Sequence, residues 1–245
     1  MSNPTVIRER DGHVLVLTMN RPEKRNAVDR TMWRELRDAF RDAAEDPTVR
    51  VVILTGAGRA FTAGQDLGEM TGGEEPGFGA LMDALCDFEK PLLAAVNGVG
   101  VGFGLTVLLH CDVVYVAAGA RLRPPFVALG VVPEAASSYL LPATIGWQRA
   151  AEALFTAAWI DAERAVALGI ASRVCPPDEL LPATRALAAE IATQPPEAVR
   201  ATKRLLLATR ADAIHAARAR EDRAFTERIG SAENVDAIAA FFAKR

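Results

Sequence analysis

Glu134 has surroundings that call for a chemical reason. It stands in LGVVPEAASSYLLP, residues 129–142, and is the only charged residue between Arg123 and Arg149. A carboxylate among apolar and small residues loses hydration, which is costly unless the group is paired or protonated. Three roles answer this: a helix cap at the surface, half of a hidden ion pair, or the acid/base of an active site. EAASSYLLP could open a helix just after Pro133, which would make Glu134 a first-turn carboxylate favoured by the helix dipole. Set against apolar groups instead, a glutamate's pKa rises toward neutrality, where it can both take and return a proton.

Two glycine-rich loops could serve such a group. NGVGVGFGL, residues 97–105, follows one strand-like run and opens a helix-like one. It fails the dinucleotide fingerprint, because Phe103 or Leu105 stands where the third glycine belongs, and no GK[ST] follows for a phosphate loop. It offers close backbone approach and free N–H groups at a helix start, suited to an anion or a developing oxyanion; tight strand–helix packing explains it equally well. GAGRAFTAGQDL, residues 56–67, has small residues at Ala63 and Gly64 that let a ligand reach the backbone, and Asp66 can cap the next turn. Loops at the C-terminal ends of neighbouring parallel strands can bring two N–H groups to one substrate oxygen, the geometry of an oxyanion hole. No nucleophile signature accompanies them. There is no GxSxG, Ser137 and Ser138 lack a nearby histidine in sequence, and His13, His110 and His215 are scattered. His110-Cys111-Asp112 resembles a metal cluster, but adjacent residues at a helix-to-strand junction point in different directions. A carboxylate is left as the catalytic candidate.

The elements that must position these groups follow an α/β rhythm. VIRER and HVLVLTMN flank Asp11-Gly12 as a hairpin. Asp29 then caps TMWRELRDAFRDAAED, in which Met32, Leu36, Phe40 and Ala43 recur at helical spacing. VRVVILTG, PLLAAVNG and DVVYVAA are short apolar runs typical of buried parallel strands, separated by the helical ALMDALCDFE and GFGLTVLLH. After Trp147 the chain turns helical, with Asp161 and Asp178 as expected caps and Gly169 as a stop. Residues 71–79, TGGEEPGFG, suit a mobile loop, and residues 212–245 an alanine-rich, charged helical tail.

Composition excludes several functions. Half of the 245 residues are hydrophobic, enough for one large core or a core with a smaller appendage, and a net charge of −3 without a basic block offers nothing to nucleic acid. Cys86, Cys111 and Cys175 lack CxxC pairing and suit reduced, buried thiols rather than disulfides or a metal site. The polar MSNPTVIRERDG lacks the apolar core of a signal peptide, and no apolar run is long enough to span a bilayer, so a cytoplasmic protein without membrane contact is expected.

AFTAGQDL, VNGVGVGFGL, CDVVYVA and LGVVPEAASS, in this order and spacing, closely resemble the crotonase (enoyl-CoA hydratase/isomerase) superfamily. RPEKRNAV, AERAVALGIASRV and PPEAVRATKRLL extend the likeness over nearly the whole chain. The resemblance implies an α/β fold with a ββα-spiral core, residues 1–193, and a C-terminal helical trimerisation region, residues 194–245, assembled as a homotrimer or a dimer of trimers. It implies an acyl-CoA thioester substrate, a place in fatty acid and lipid metabolism, and no metal or redox cofactor, coenzyme A entering only as part of the substrate. By position, the oxyanion hole would be the N–H groups of Ala63 and Phe103, with the Phe103 side chain narrowing the pocket. Arg25, Ala27, Phe61, Gly64, Gln65, Asp66, Leu67, Gly102 and Ser137 match binding positions, and Lys203 and Phe241 are weaker candidates for nucleotide contacts.

The family's hydratases use two glutamates, at positions that here are Thr106 and Phe126. Neither moves a proton as a carboxylate would, which argues against efficient hydration. Glu134 instead matches the position, in segments resembling PEGCSS, where the Δ3,Δ2-enoyl-CoA isomerase branch often carries its acid. The leading expectation is therefore an isomerase, with Thr106 and Phe126 shaping a pocket that limits water. Hydration with an unusual carboxylate, thioester hydrolysis, ring-forming or ring-opening chemistry, and a non-catalytic acyl-CoA-binding role are the alternatives.

Overall fold

The expected hairpin begins the fold of the computed structural model, which describes residues 4–69 and 77–243. Among the described residues ten strands occur in chain order: β1 (Val6–Asp11), β2 (Val14–Met19), β3 (Val51–Gly56), β4 (Ala60–Thr62), β5 (Leu92–Val96), β6 (Val99–Val101), β7 (Val113–Ala117), β8 (Arg121–Arg123), β9 (Ile160–Asp161) and β10 (Arg173–Cys175). They form a six-stranded sheet, β1-β2-β3-β5-β7-β10, and a four-stranded sheet, β4-β6-β8-β9. β1 and β2 pair antiparallel through a turn in which Gly12 has φ +55°. The rest of the large sheet is parallel, and β3 and β5 are buried at every residue, which is why their sequences show no alternation.

Three times in succession a strand of the large sheet leads directly into one of the small sheet: β3 into β4, β5 into β6, β7 into β8. This is the ββα spiral that the resemblance implied. The small sheet itself was not visible in the sequence. Its strands are two or three residues long, and β6 is the Val-Gly-Val inside the glycine run.

The helices are α1 (Arg30–Glu45), α2 (Phe78–Cys86), α3 (Phe103–Thr106), α4 (Ser137–Ile145), α5 (Trp147–Thr156), α6 (Ala162–Leu168), α7 (Leu180–Thr193), α8 (Pro196–Ala208), α9 (Ala211–Arg228) and α10 (Ala232–Ala243). Asp29 caps α1 by accepting the Met32 N–H, and Met32, Leu36, Phe40 and Ala43 are buried as expected. Asp161 caps α6, and Gly169 ends it at φ +83°. Asp178 does not cap α7: the helix begins at Leu180 after Glu179, with no side-chain cap. GFGLTVLLH is α3 followed by a tighter 3-10 turn over Val107–His110. Residues 71–76 of the expected mobile loop lie outside the described residues, and α2 starts at Phe78. No described helix is long and apolar enough to cross a membrane.

Candidate active site

β4, β6 and β8 pair parallel in the small sheet, so their C-terminal ends lie side by side, and a cavity of about 360 Å3 opens there. Ala63, Gly64 and Gln65 follow β4, Gly102 and Phe103 follow β6, and Arg123, Pro125 and Phe126 end or follow β8. Glu134 lines the same space, and Phe225 of α9 with Ala237, Ala240 and Phe241 of α10 complete the wall. The sequence placed its two loops at buried strands of the main sheet; the strands that present them are the short ones of the second.

The two loops touch. Gly64 has φ +82°, and a Cβ there would lie 2.6 Å from the Val101 carbonyl oxygen and 3.7 Å from the Phe103 nitrogen. Phe103 is the first residue of α3, so its N–H has no acceptor within the helix. The expected second donor is corrected. The Ala63 N–H donates to the Arg25 carbonyl at 2.9 Å and is not free for a substrate. Val28 bridges this loop through Gly64 and Asp66, donating to the Gly64 carbonyl and accepting the Asp66 N–H, each at 2.8–2.9 Å. Among the described residues Gln65, between them, gives its N–H to no protein acceptor, and it lines the cavity. The pair of amides available to one oxygen is therefore Gln65 with Phe103. The Phe103 ring stacks edge-on against Trp33, with centroids 4.7 Å apart, and against Phe78 at 6.4 Å, so its side chain belongs to the core.

Asn26, which the sequence did not single out, builds this loop. Its φ is +55°, its side-chain amide donates to the carbonyls of Ala57, Ala60 and Phe61, and its own carbonyl accepts the Thr62 hydroxyl. Asparagine tolerates the left-handed region, and its amide replaces a network the backbone lacks there.

Among the described residues Glu134 neither caps a helix nor joins an ion pair. α4 starts three residues later, at Ser137, and the carboxylate at its N-terminus is Glu221 from α9. Glu221 accepts the Ala136 N–H at 2.6 Å and the Ser138 N–H at 2.7 Å. His110 secures Ala135, the residue after Glu134, with Nε2 2.8 Å from its carbonyl. Burial lowers the His110 pKa to about 4, so the imidazole is neutral and Nε2–H is the donor. Ala135 and Ala136 both hold φ +58°, a conformation that these bonds sustain. The Glu134 side chain has no hydrogen-bond or ion-pair partner among the described residues. One side of it faces the cavity and leaves it partly accessible, while protein encloses the others. Desolvation, and then the nearby Glu221 and Asp222 carboxylates, raise its pKa to about 8.

The remaining expected positions divide. Gly64, Gln65, Leu67, Gly102, Phe126 and Phe241 line the cavity with Glu134 and Phe103. Arg25 is exposed at φ +52° and contributes its carbonyl to the loop, while the Ala27 carbonyl accepts from Arg21. Phe61 is core. Asp66 caps the Gly68 N–H and pairs with Arg21 at 3.2 Å, so it is turned from the cavity. Thr106 is buried off the cavity, with its hydroxyl toward the Phe103 carbonyl, and does not help shape the pocket; Phe126 does. Ser137 is buried outside the lining. Lys203, expected at a nucleotide, is buried on the Lys90 carbonyl and the Asp112 carboxylate at 3.0 and 2.7 Å. His110 and Asp112 bond to different elements, in line with the divergent directions expected of adjacent residues.

An apolar cavity with a carboxyl of raised pKa and two unspent amides defines a class of protein: one that handles a substrate whose oxygen gains negative charge while a proton moves nearby. A family model described as enoyl-CoA hydratase/isomerase matches residues 9–245. The short-chain-enoyl-CoA hydratase of Clostridium acetobutylicum is 34% identical over 248 residues, covering 98% of this chain and 95% of that one. The enoyl-CoA delta isomerase 2 of Rattus norvegicus is 33% identical over 245 residues, 96% of this chain and 62% of that longer protein. A crystal structure of an enoyl-CoA hydratase/isomerase from Pseudoalteromonas atlantica T6c matches with a TM-score of 0.95 and 38% identity over 98% of both chains. The chain belongs to the enoyl-CoA hydratase/isomerase family, the crotonases, has their fold, and is an acyl-CoA enzyme. Among the chain's wider set of relatives hydratase names are the more common.

Proposed function

We propose that this protein isomerises 3-enoyl-CoA to 2-enoyl-CoA by a 1,3-proton shift, with Glu134 as both base and acid. The observation that carries this reading is that Glu134 is, among the described residues, the only carboxylate lining the cavity, in a family whose hydratases need two. The Glu134 carboxylate takes a proton from C2 of the acyl chain. The electrons move into the thioester, and the enolate oxygen is held by the Gln65 and Phe103 N–H groups. Protonated Glu134 then returns a proton to C4 as the C2=C3 bond forms. A carboxyl titrating near 8 exchanges a proton in either direction near neutrality. Each amide donor is worth about 3 kcal/mol of barrier. Phe126, where a hydratase has its second glutamate, adds an apolar wall and no site for activating water. The shift calls for no metal or redox cofactor, and coenzyme A takes part only as the thioester.

Residues 194–245 supply the α9 and α10 wall of the site, and we assign them a second role in assembly. Leu205 and Leu206 of α8, with Trp147 and Phe155 of α5, are between 63% and 75% exposed, more apolar surface than a lone chain needs. A homotrimer or a dimer of trimers would cover it.

The test is incubation with 3-enoyl- and 2-enoyl-CoAs, followed by mass spectrometry and double-bond localisation. Migration of the double bond without mass gain is expected. Water addition to the 2-enoyl-CoA without migration would replace the isomerase with a hydratase using an unusual carboxylate, and binding without turnover would leave an acyl-CoA-binding role.

A further inference from the structure

We propose that Glu221, on α9, is the positioning residue for Glu134: by gripping the Ala136 and Ser138 amides it fixes the segment that aims Glu134 into the cavity. This rests on Glu134 being the acid/base of the site. Glu221 is nearly fully buried, 85 residues away in sequence from Ala136, and spends both carboxylate oxygens on the backbone just after Glu134. That backbone holds two consecutive non-glycine residues at φ +58°, a shape that local sequence disfavours and that needs outside support. One oxygen on each amide supplies that support. The same carboxylate caps α4, which has no cap of its own.

The grip also decides which of the two glutamates carries charge. Both are pushed up by burial, but Glu221 accepts two backbone N–H bonds that favour its ionised form and Glu134 accepts none. The pair therefore titrates as a coupled unit in which Glu221 ionises first and its charge keeps Glu134 protonated to higher pH. The other groups facing Glu134 do not replace it. Asp222 of α9 adds a weaker push of the same sign. From the 3-10 turn His110 is neutral, and from β8 Arg123 lines the cavity with Nε on the Ala157 carbonyl. Arg228 of α9 lies at the Gly130 carbonyl, and Asn234 of α10, at Leu129, carries no charge.

Two variants separate grip from charge. Glu221→Gln keeps the size but loses the charge and one acceptor; Glu221→Asp keeps the charge but cannot reach both amides. The protein would be labelled with 13C at glutamate Cδ, with the Glu134 resonance assigned by its loss in Glu134→Gln, and titrated alongside steady-state kinetics on 3-enoyl-CoA. In Glu221→Gln the Glu134 midpoint is expected to fall by about one pH unit, and the acid limb of kcat/KM with it. In Glu221→Asp the midpoint stays high while kcat drops at least about tenfold and KM changes little, as expected when geometry alone is lost. A purely structural glutamate would lower the melting temperature and leave the Glu134 midpoint and folded-state kcat unchanged in both variants, which overturns the proposal. Should Glu221→Gln not fold, Glu221→Asp decides alone: unchanged kcat rejects the grip. Should the wild type not isomerise at all, the functional reading fails separately. The Glu134 titration, with slow hydrogen exchange of the Ala136 and Ser138 amides in wild type and its acceleration in Glu221→Asp, then still decides this one.

Discussion

At the scale of single residues, two groups hold protonation states that the unfolded chain would not. Glu134 titrates near 8 in the fold against 4.5 unfolded, so at pH 7 the fold carries a proton there that the unfolded chain has lost. Stability tied to this group is complete below 4.5 and is lost as pH rises through 8. Glu134→Gln removes that penalty. It should unfold later in urea at pH 7, by about 3 kcal/mol, while turnover of 3-enoyl-CoA falls about a thousandfold. Unchanged turnover would end the assignment. His110 runs the other way: its folded pKa, near 4 against 6.5 unfolded, gives stability that is full above 6.5 and lost as pH falls through 4, about 3 kcal/mol in all. His110→Gln should flatten the acid side of a plot of urea midpoint against pH between 6.5 and 4. Glu134 was legible in the sequence because a lone charge in an apolar stretch is a local signal. The groups that hold its segment were not, since Glu221 reaches Ala136 across 85 residues and His110 reaches Ala135 across 25. The donor named by resemblance also missed by two residues, because only the Arg25 carbonyl decides that Ala63 is spent and Gln65 is free.

At the scale of elements, the site depends on short strands pressed together more closely than side chains allow. A Cβ at Gly64 would meet the Val101 carbonyl at 2.6 Å in a backbone at φ +82°. Gly64→Ala should therefore cost about 2 kcal/mol in urea unfolding and spread the two amide-bearing loops. Turnover at saturating substrate should fall further than the binding of coenzyme A measured by calorimetry; an equal loss of both would place the loop in general binding instead. The first five strands of the main sheet could be read from runs of five or six residues, whereas β10, Arg173–Cys175, could not. Strands of two or three residues carry none, and β6 is half hidden by the glycine that lets it approach its neighbour. The helix expected from GFGLTVLLH tightened after one turn, a change that follows from packing rather than composition. Asp178 illustrates the same limit: a capping residue type near a helix start does not fix which residue begins the helix.

At the scale of the molecule, the exposed apolar residues of α5 and α8 predict self-association. Sedimentation should find a trimer or hexamer, and replacing Leu205 and Leu206 together with glutamate should shift it toward the monomer; a wild-type monomer would remove the assembly role. The broad class and spiral core were visible in the order of the motifs, yet the wall of the cavity was not, because the alanine-rich helices that form it resemble any charged helical tail. That wall has a consequence in time. Ribosomes make this chain from the strands toward α9 and α10, and the groups that enclose Glu134 and hold its loop, Glu221, Phe225, Ala237, Ala240 and Phe241, emerge after the strands and loops they serve. During synthesis the apolar cleft exists before its cover does. A message cut short after α8 would yield a sheet with its loops in place and a greasy, unguarded mouth, a natural target for chaperones and proteases, so that catalytic competence waits on the arrival of α9 and α10.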